Sequence, residues 1–239
     1  MWDNHRLLNR IASLMIAASM IAVAYTVVMV VIRLPVFNLR SVQIEGPLGH
    51  TTREQVDAIA NQALRGTFFT VDLEAGRKAF EKLPWVRHAQ LRRTWPDRLE
   101  VAFEEHVPLA RWHDFALVNI YGEVFEAASA AALPVFAGPE GSAAEITRDY
   151  ETFRQALATI GRAPLEIRLS SRRAWQLKLD DGQLIELGRD DVLARLRRFV
   201  TVYPQIAAHL PQSGGHIDLR YPNGFAVRIP GLRWTDRRA

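Results

Sequence analysis

The clearest hydrophobic pattern is an uninterrupted apolar segment near the amino terminus. Residues 11–32 carry no charged side chain, and Arg10 and Arg33 bracket them. As a helix rising about 1.5 Å per residue, this segment would extend about 33 Å, which matches the roughly 30 Å hydrocarbon core of a bilayer. The pattern therefore predicts a transmembrane helix over 11–32, preceded by a short tail over residues 1–10.

A cleaved signal peptide is the alternative interpretation of the same segment. Arg6 and Arg10 would form its basic region, and Ala22-Val23-Ala24 would form its cleavage site. Cleavage there would leave the apolar residues 27–32 exposed at the new amino terminus, so we favour a retained anchor. The charges leave its orientation open, because two arginines lie close to the segment on either side.

The next part of the chain, residues 36–106, alternates between strand and helix patterns. Alternation of apolar and polar residues predicts three strands, at 39–44, 86–93 and 99–105. Between the first two, apolar residues at one-face spacing predict two helices. Thr51 and Glu54 should form the capping box of the first helix, and Asp72 should cap the second. The predicted order is β-α-α-β-β, a small α+β domain.

From residue 107 to 239 the chain is richer in short strands. Apolar alternation predicts them at 109–112, 116–119, 124–125, 165–169, 175–179, 184–187, 216–221 and 225–229. One helix should follow the loop at 138–142. A second should span 190–203, where Pro204 should break or end it. The fold class is α+β: a transmembrane helix, a small β-α-α-β-β domain, and a strand-rich β domain with helices.

Composition excludes several kinds of chemistry. Cysteine is absent, which excludes disulfides, cysteine-bound metals and thiol catalysis. The seven histidines include no pair at the spacing of helical metal ligands, and no phosphate-binding glycine loop or nucleophile elbow occurs. The acidic pairs Asp180-Asp181 and Asp190-Asp191 have the positions of turn and capping residues. We therefore expect no enzymatic activity, no metal, no cofactor and no small-molecule substrate.

The net charge of +4 is too small to indicate nucleic acid by itself. A basic stretch with tryptophans comprises Trp85, Arg87, His88, Arg92, Arg93, Trp95 and Arg98. Glu100, Glu104 and Glu105 lie on the neighbouring predicted strand, where cross-strand ion pairs would neutralise the arginines. A solvated sheet face is thus the favoured interpretation, and an acidic partner or a lipid surface is the alternative.

The last predicted strand is a candidate interaction site. No strand follows 225–229, so its outer backbone is unpaired unless an earlier strand covers it. Exposed edges are either blunted or used to add a strand from a partner. Here the blunting residues are few, namely Arg228 and Pro230. Tyr221 and Phe225 flank the preceding turn and are either core residues of a terminal hairpin or aromatic anchors of an interface.

A series of short motifs resembles the bacterial cell-division protein FtsQ family over essentially the whole chain. They are Val42-Gln43-Ile44-Glu45-Gly46, Gly66-Thr67-Phe68-Phe69-Thr70-Val71-Asp72, Leu83-Pro84-Trp85-Val86, Arg93-Thr94-Trp95-Pro96-Asp97, Glu105-His106-Val107-Pro108-Leu109-Ala110-Arg111-Trp112, Leu187-Gly188-Arg189, Arg198-Phe199-Val200, Tyr203-Pro204 and Asp218-Leu219-Arg220-Tyr221-Pro222-Asn223-Gly224. The resemblance implies a single-pass inner-membrane protein at the division septum, with a cytoplasmic amino terminus and a periplasmic body. It also implies that 36–106 form a POTRA domain and that 107–239 form a β domain.

The resemblance further implies a non-enzymatic scaffold that links early and late division proteins and binds FtsB and FtsL. A strand of FtsB would add to the last strand, and upstream division proteins would contact the POTRA domain. Carried over by position, the partner-binding residues are Arg189, Arg220, Tyr221, Asn223, Gly224, Phe225, Val227 and Ile229. We expect Tyr221→Ala or Phe225→Ala to weaken FtsB binding while the body stays folded.

One departure from the family pattern and two alternative functions stay open. The family often has a tryptophan near the end of the last strand, whereas this chain has Ile229 there and Trp234 further on. A POTRA-containing envelope transport or assembly factor is the alternative function, although it should show several POTRA repeats or a long membrane β-barrel. A cell-wall hydrolase is the enzymatic alternative, and it would need a metal or carboxylate constellation.

Overall fold

The amino-terminal segment is a single long helix, α1 (His5–Val31). The computed structural model of the chain describes residues 5–37, 39, 41–46, 48–207, 214–221 and 224–228. Within α1, Asn9–Val31 is apolar and long enough to cross a membrane, and its side chains are exposed over almost its whole length. In the described residues it is the one helix of this kind, which is consistent with a single-pass membrane protein.

The chain divides into two units, residues 1–105 and 106–239. After α1 and a short 3-10 helix at Pro35–Phe37, the first unit contains β1 (Ser41–Glu45), α2 (Arg53–Ala63), α3 (Leu73–Phe80), β2 (Val86–Thr94) and β3 (Arg98–Glu105). The sheet order is β1-β3-β2, with β1 parallel and β2 antiparallel to β3. Asp72 caps α3 as predicted. Fully buried Val56 and Phe80 on the helices pack with Leu99 and Val101 on β3.

The predicted capping box of α2 is wrong by one residue. The cap is Thr52, whose hydroxyl accepts a hydrogen bond from the Gln55 N–H, while the Gln55 side chain accepts one from the Thr52 N–H. Thr51 is instead buried, and its N–H donates to the Glu105 carboxylate at 2.9 Å. A tertiary contact with the end of β3 therefore decides which of two adjacent threonines caps the helix.

In its described residues, the second unit forms one sheet with two α-helices. Its elements are β4 (Pro108–Trp112), β5 (Ala116–Asn119), β6 (Val124–Phe125), β7 (Val135–Ala137), α4 (Ala143–Ala158), β8 (Pro164–Leu169), β9 (Trp175–Leu179), β10 (Leu184–Gly188), α5 (Val192–Ile206), β11 (His216–Asp218) and β12 (Ala226–Arg228). The nine strands follow the order β12-β11-β10-β9-β8-β7-β4-β5-β6. Ile146 on α4 and Phe199 on α5 are fully buried in one core with Phe136 and Leu177 of the sheet. The α+β fold class is confirmed.

One strand of this sheet was not predicted. β7 has only three residues, and all three are apolar, so no alternation of apolar and polar positions marks it. It pairs in parallel with β4 on one side and with β8 on the other. This short strand therefore joins the β4–β6 part of the sheet to the β8–β12 part.

Two predictions at α5 are wrong. Pro204 lies inside the helix, which continues to Ile206. A proline this close to the carboxyl end removes only one N–H, and the buried Tyr203 beside it accepts a hydrogen bond from Arg162 at 3.1 Å. Asp191 occupies the N-cap position with a left-handed φ of 51°, but its side chain makes no capping hydrogen bond.

Candidate docking edge

β12 lies at one end of the nine-stranded sheet. It pairs antiparallel with β11, with Val227 opposite Ile217, and β11 pairs in parallel with β10. Along an antiparallel strand, alternate residues direct their N–H and C=O groups to opposite sides. Part of the β12 backbone therefore points away from β11, and within the described ranges no strand pairs with that outer side.

Along β12, the side chains on the core face of the sheet change from partly buried to exposed. Val227 is opposite Ile217, which is fully buried, so both side chains lie on the same face. Val227 is nevertheless exposed. Phe225, two residues earlier, is half-buried and packs edge-on against Phe199 of α5 at a centroid distance of 6.0 Å. The apolar face thus begins in the core at Phe225 and ends in solvent at Val227.

The turn before β12 is held by two arginines. Arg198 on α5 donates a hydrogen bond to the Tyr221 carbonyl at 3.0 Å, while the Tyr221 side chain is 54% exposed. The guanidinium of Arg220 donates to both carboxylate oxygens of Asp218, at 2.9 and 2.7 Å, and these bonds hold the pKa of Asp218 below its usual value. The Arg220 stem passes over Gly188, where an added Cβ would lie 3.2 Å from Arg220 Cγ. The Arg220 head is therefore held by Asp218, and its stem lies over Gly188.

The end of β10 completes the site. Arg195 on α5 donates to the Leu187 carbonyl at 2.8 Å, next to Gly188. Arg189 follows and is exposed, with its Nε atom 3.2 Å from the Asp190 carboxylate. Sequence reasoning did not single out Arg195. The available indication is its spacing of three residues from Arg198, which places both arginines on one face of α5.

The predicted partner-binding residues can now be placed. Those in the described chain lie at the end of β10, in the turn before β12 or on β12 itself: Arg189, Arg220, Tyr221, Gly224, Phe225 and Val227. Asn223 and Ile229 lie outside the described residues, as does Trp234. The two aromatic residues have different surroundings, because Tyr221 is mostly exposed whereas Phe225 packs into the core. We call the outer backbone of β12 together with Arg189, Arg220, Tyr221 and Val227 the docking edge.

A metal site would require several histidine or acidic side chains close together. Among the residues that the structure describes, no group of three or more histidine, aspartate or glutamate side chains could hold a metal ion. The acidic pair at the β9–β10 hairpin is engaged in structure: Asp181 accepts a hydrogen bond from the Gln183 N–H at 3.0 Å and pairs with Arg162 at 3.1 Å. What the site offers chemically is backbone hydrogen bonding, an exposed aromatic ring and oriented cations.

Comparison with known proteins agrees with this architecture. Residues 37–106 match the family model of the POTRA domain, FtsQ-type, and residues 110–220 match that of the cell division protein FtsQ/DivIB, C-terminal. The second match therefore ends before β12. The chain is 42% identical to the cell division protein FtsQ of Nitrosospira multiformis, over 95% of this chain and 99% of the relative. It is 42% identical to that of Burkholderia pseudomallei, over 98% and 96%, and 38% identical to that of Escherichia coli, over 68% and 62%.

Proposed function

Because the chain belongs to the FtsQ/DivIB family of cell-division proteins, we propose that it is a non-enzymatic scaffold that docks FtsB and FtsL by strand addition at the docking edge. It links early and late division proteins at the septum. Helix α1 anchors it in the inner membrane with a cytoplasmic amino terminus, and the POTRA domain over 36–106 contacts upstream division proteins. The observation that carries this function is the position of β12 at the end of its sheet, with backbone groups directed outward.

An added strand would satisfy these outward backbone groups. Main-chain hydrogen bonds of this kind give affinity without requiring a particular sequence, while side-chain positions along the strand give specificity. Val227 lies on the core face but is exposed, so an apolar residue of the incoming strand would cover it and extend the core by one strand. This favours a partner segment with alternating apolar and polar residues.

Exposed arginines at the docking edge offer hydrogen-bond donors to an acidic residue in that segment, although Asp190 and Asp218 already pair with two of them. Arg189, Arg220 and Arg228 are all exposed. The head of Arg220 is held by Asp218 in a fixed direction, which lowers the entropy that a partner would have to remove. Tyr221 presents an exposed ring at the start of the strand, and tyrosine and arginine are the residue types that most often dominate interface energies.

A membrane anchor would strengthen this docking without adding contacts. If FtsB and FtsL are held in the same bilayer, they are confined to two dimensions. This confinement raises their effective concentration at the docking edge. Modest affinity per strand is then sufficient for stable assembly. Such a scaffold holds its partners in place through main-chain hydrogen bonds, and it needs no reactive side chain.

The two ends of the same sheet provide a matched experiment. β6 lies at the other end, and its Val124 is 46% exposed, comparable to Val227 on β12 at 36%. A lysine on an edge strand blocks strand addition. We expect Val227→Lys in the full chain to reduce co-purification of FtsB and FtsL by about tenfold or more, and Val124→Lys to leave it unchanged. Equal binding by both variants would overturn the assignment.

Two further experiments test where FtsB binds and whether the chain has catalytic activity. A photo-crosslinking residue at Ala226 or Arg228 should give FtsB adducts in dividing cells, whereas one at Val124 should give none. Purified full chain should also leave peptidoglycan intact in a hydrolysis assay. Release of soluble fragments by the chain would establish an enzyme in place of a scaffold.

A further inference from the structure

One end of the POTRA domain is built next to the end of α1. In the parallel pairing of β1 with β3, Ser41 is opposite Arg98, so the start of β1 and the β2–β3 turn lie at the same end. The connection between α2 and α3 is at this end as well, because Arg93 Nη2 donates to the Val71 carbonyl at 2.7 Å. We call residues 32–37, 64–72 and 92–98 the membrane-proximal end.

Direct contacts join this end to the apolar helix. The buried Thr67 donates its hydroxyl hydrogen to the carbonyl of Ile32, one residue past α1, at 2.7 Å. The Phe68 N–H donates to the Phe37 carbonyl at 2.7 Å, and the Phe37 and Phe69 rings meet edge-on at 5.2 Å. These contacts attach the connection between α2 and α3 to the residues that follow α1, which would be the first to leave the bilayer.

Large apolar side chains are exposed at the same end. Trp95 is 79% exposed in the β2–β3 turn, and Phe69 is 48% exposed in the α2–α3 connection. Leu34 and Val36, directly after α1, are also exposed. Aromatic residues, tryptophan above all, are enriched at the level of the lipid headgroups, where one side of the ring is apolar and the other is wet.

Arginines surround these aromatic residues. Two of the predicted cross-strand ion pairs form, Arg87–Glu104 at 2.7 Å and Arg92–Glu100 at 3.5 Å, whereas Glu105 accepts hydrogen bonds from backbone N–H groups. The Arg92 side chain is nevertheless 81% exposed, so its pairing with Glu100 leaves most of it in solvent. Exposed arginines of the membrane-proximal end are Arg33, Arg65, Arg92, Arg93 and Arg98. The acids in or paired with this end are Asp72, which caps α3, Asp97, and Glu100, which pairs with Arg92. The balance is positive, and positive charge beside a membrane attracts anionic phospholipid headgroups.

We propose that the membrane-proximal end docks on the surface of the bilayer that α1 crosses, with Phe69 and Trp95 at headgroup level and the arginines on anionic phospholipid phosphates. This docking rests on the membrane anchor of the proposed function but does not depend on FtsB or FtsL. It would set the orientation of the POTRA domain relative to the membrane. The opposite end, where α2 begins and α3 ends, would then face away from the lipid.

The absence of cysteine makes a clean labelling experiment possible. Trp95→Cys in the full chain, labelled with an apolar, environment-sensitive dye, places a probe of comparable size at the exposed turn. Lys82→Cys is the control, since Lys82 follows α3 and leads to the start of β2, which pairs with the far end of β3. Both proteins are reconstituted in phosphatidylcholine vesicles containing about one third phosphatidylglycerol, with spin-labelled lipid as quencher.

We expect quenching at position 95 to exceed that at position 82 by about threefold or more, and to fall by about half in vesicles of phosphatidylcholine alone. Arg65→Glu should also lower it, whereas Arg53→Glu, at the opposite end of α2, should not. Equal quenching at 95 and 82 in protein that floats with the vesicles would overturn lipid docking and leave the anchor standing. Protein that fails to float would reject the anchor itself, and this docking with it.

Discussion

The ring of Phe225 meets that of Phe199 edge to face, with centroids 6.0 Å apart and planes at 88°. This contact attaches the edge strand β12 to α5 from the core side. Val227, two residues further on the same face, has no comparable cover and is exposed. Among the described residues, the strand is therefore held at its beginning and unpaired along its outer side, which separates the residue that attaches it from the residues that would contact a partner.

Phe225→Ala should loosen β12 rather than only weaken partner binding. Removing the ring deletes the contact with Phe199, and because Phe225 is half-buried we expect a cost of about 1–3 kcal/mol, below the value for a fully buried phenylalanine. Hydrogen exchange measured by mass spectrometry should rise in residues 216–228 while α4 stays protected. Unchanged exchange in that segment would show that Phe225 does not attach the strand.

Tyr221→Ala should affect binding without affecting the fold. The ring is 54% exposed, and the contact that fixes this turn is made by the Tyr221 carbonyl with Arg198, which the substitution keeps. We expect an affinity for FtsB reduced about tenfold or more, as for a tyrosine at the centre of an interface, with wild-type hydrogen exchange in residues 216–228. Full affinity in this variant would remove Tyr221 from the docking edge.

The contrast between these two aromatics shows what the sequence could not decide. Alternation predicted most of the strands because in several of them, such as β3 and β9, buried residues alternate with more exposed ones, and the order β-α-α-β-β follows from that pattern. The exposure of Tyr221 against the burial of Phe225 depends on where α5 lies, which is a long-range contact. The short β7 was missed for the same reason: its pairing with β4 and β8 is visible only in the assembled sheet.

The carboxylate of Glu105 should make the POTRA domain sensitive to acid. It accepts hydrogen bonds from the N–H groups of Gly49, His50 and Thr51 at 3.1, 3.0 and 2.9 Å. Burial pushes the pKa of Glu105 upward, but the bonds from these N–H groups outweigh it, so the pKa is lowered. Its contribution to stability is therefore complete above the unfolded value of about 4.3 and is lost as the pH falls through the lower, folded-state pKa.

Glu105→Gln tests this directly, because an amide nitrogen cannot accept a hydrogen bond. We expect it to destabilise the domain by about 1–3 kcal/mol at pH 7, and the difference from wild type to shrink as the pH drops below about 4. Thermal unfolding of the full chain in mild detergent, followed by circular dichroism, measures both effects. Glu104→Gln, which alters an exposed pair with Arg87, is the matched control and should have little effect. A pH-independent difference at Glu105 would contradict the assignment.

Asp72 should stabilise α3 through its capping hydrogen bonds rather than through its negative charge. The Asp72 carboxylate accepts hydrogen bonds from the N–H groups of Glu74 and Ala75, each at 3.0 Å. Asp72→Ala should cost about 1 kcal/mol in the free energy of unfolding, whereas Asp72→Asn keeps an acceptor oxygen and should be close to neutral. If both variants lose the same stability, charge rather than capping is the contribution of this residue.

Gly188 should be required for the docking edge through Arg220. Its φ of +75° disfavours any residue with a Cβ, and a Cβ here would lie 2.7 Å from Arg195 Nη1 and 3.2 Å from Arg220 Cγ. Gly182, in the β9–β10 turn, has a similar φ of +81°, but its closest neighbour would be the Gly214 nitrogen at 3.6 Å.

Gly188→Ala and Gly182→Ala should therefore carry a similar backbone cost of about 1 kcal/mol, measured as a lowered Tm. Only Gly188→Ala also displaces Arg195 and pushes against the Arg220 stem, so only this variant should also lose FtsB and FtsL in co-purification. Equal retention of both partners by the two variants would mean that the arginines packed over Gly188 have no part in docking.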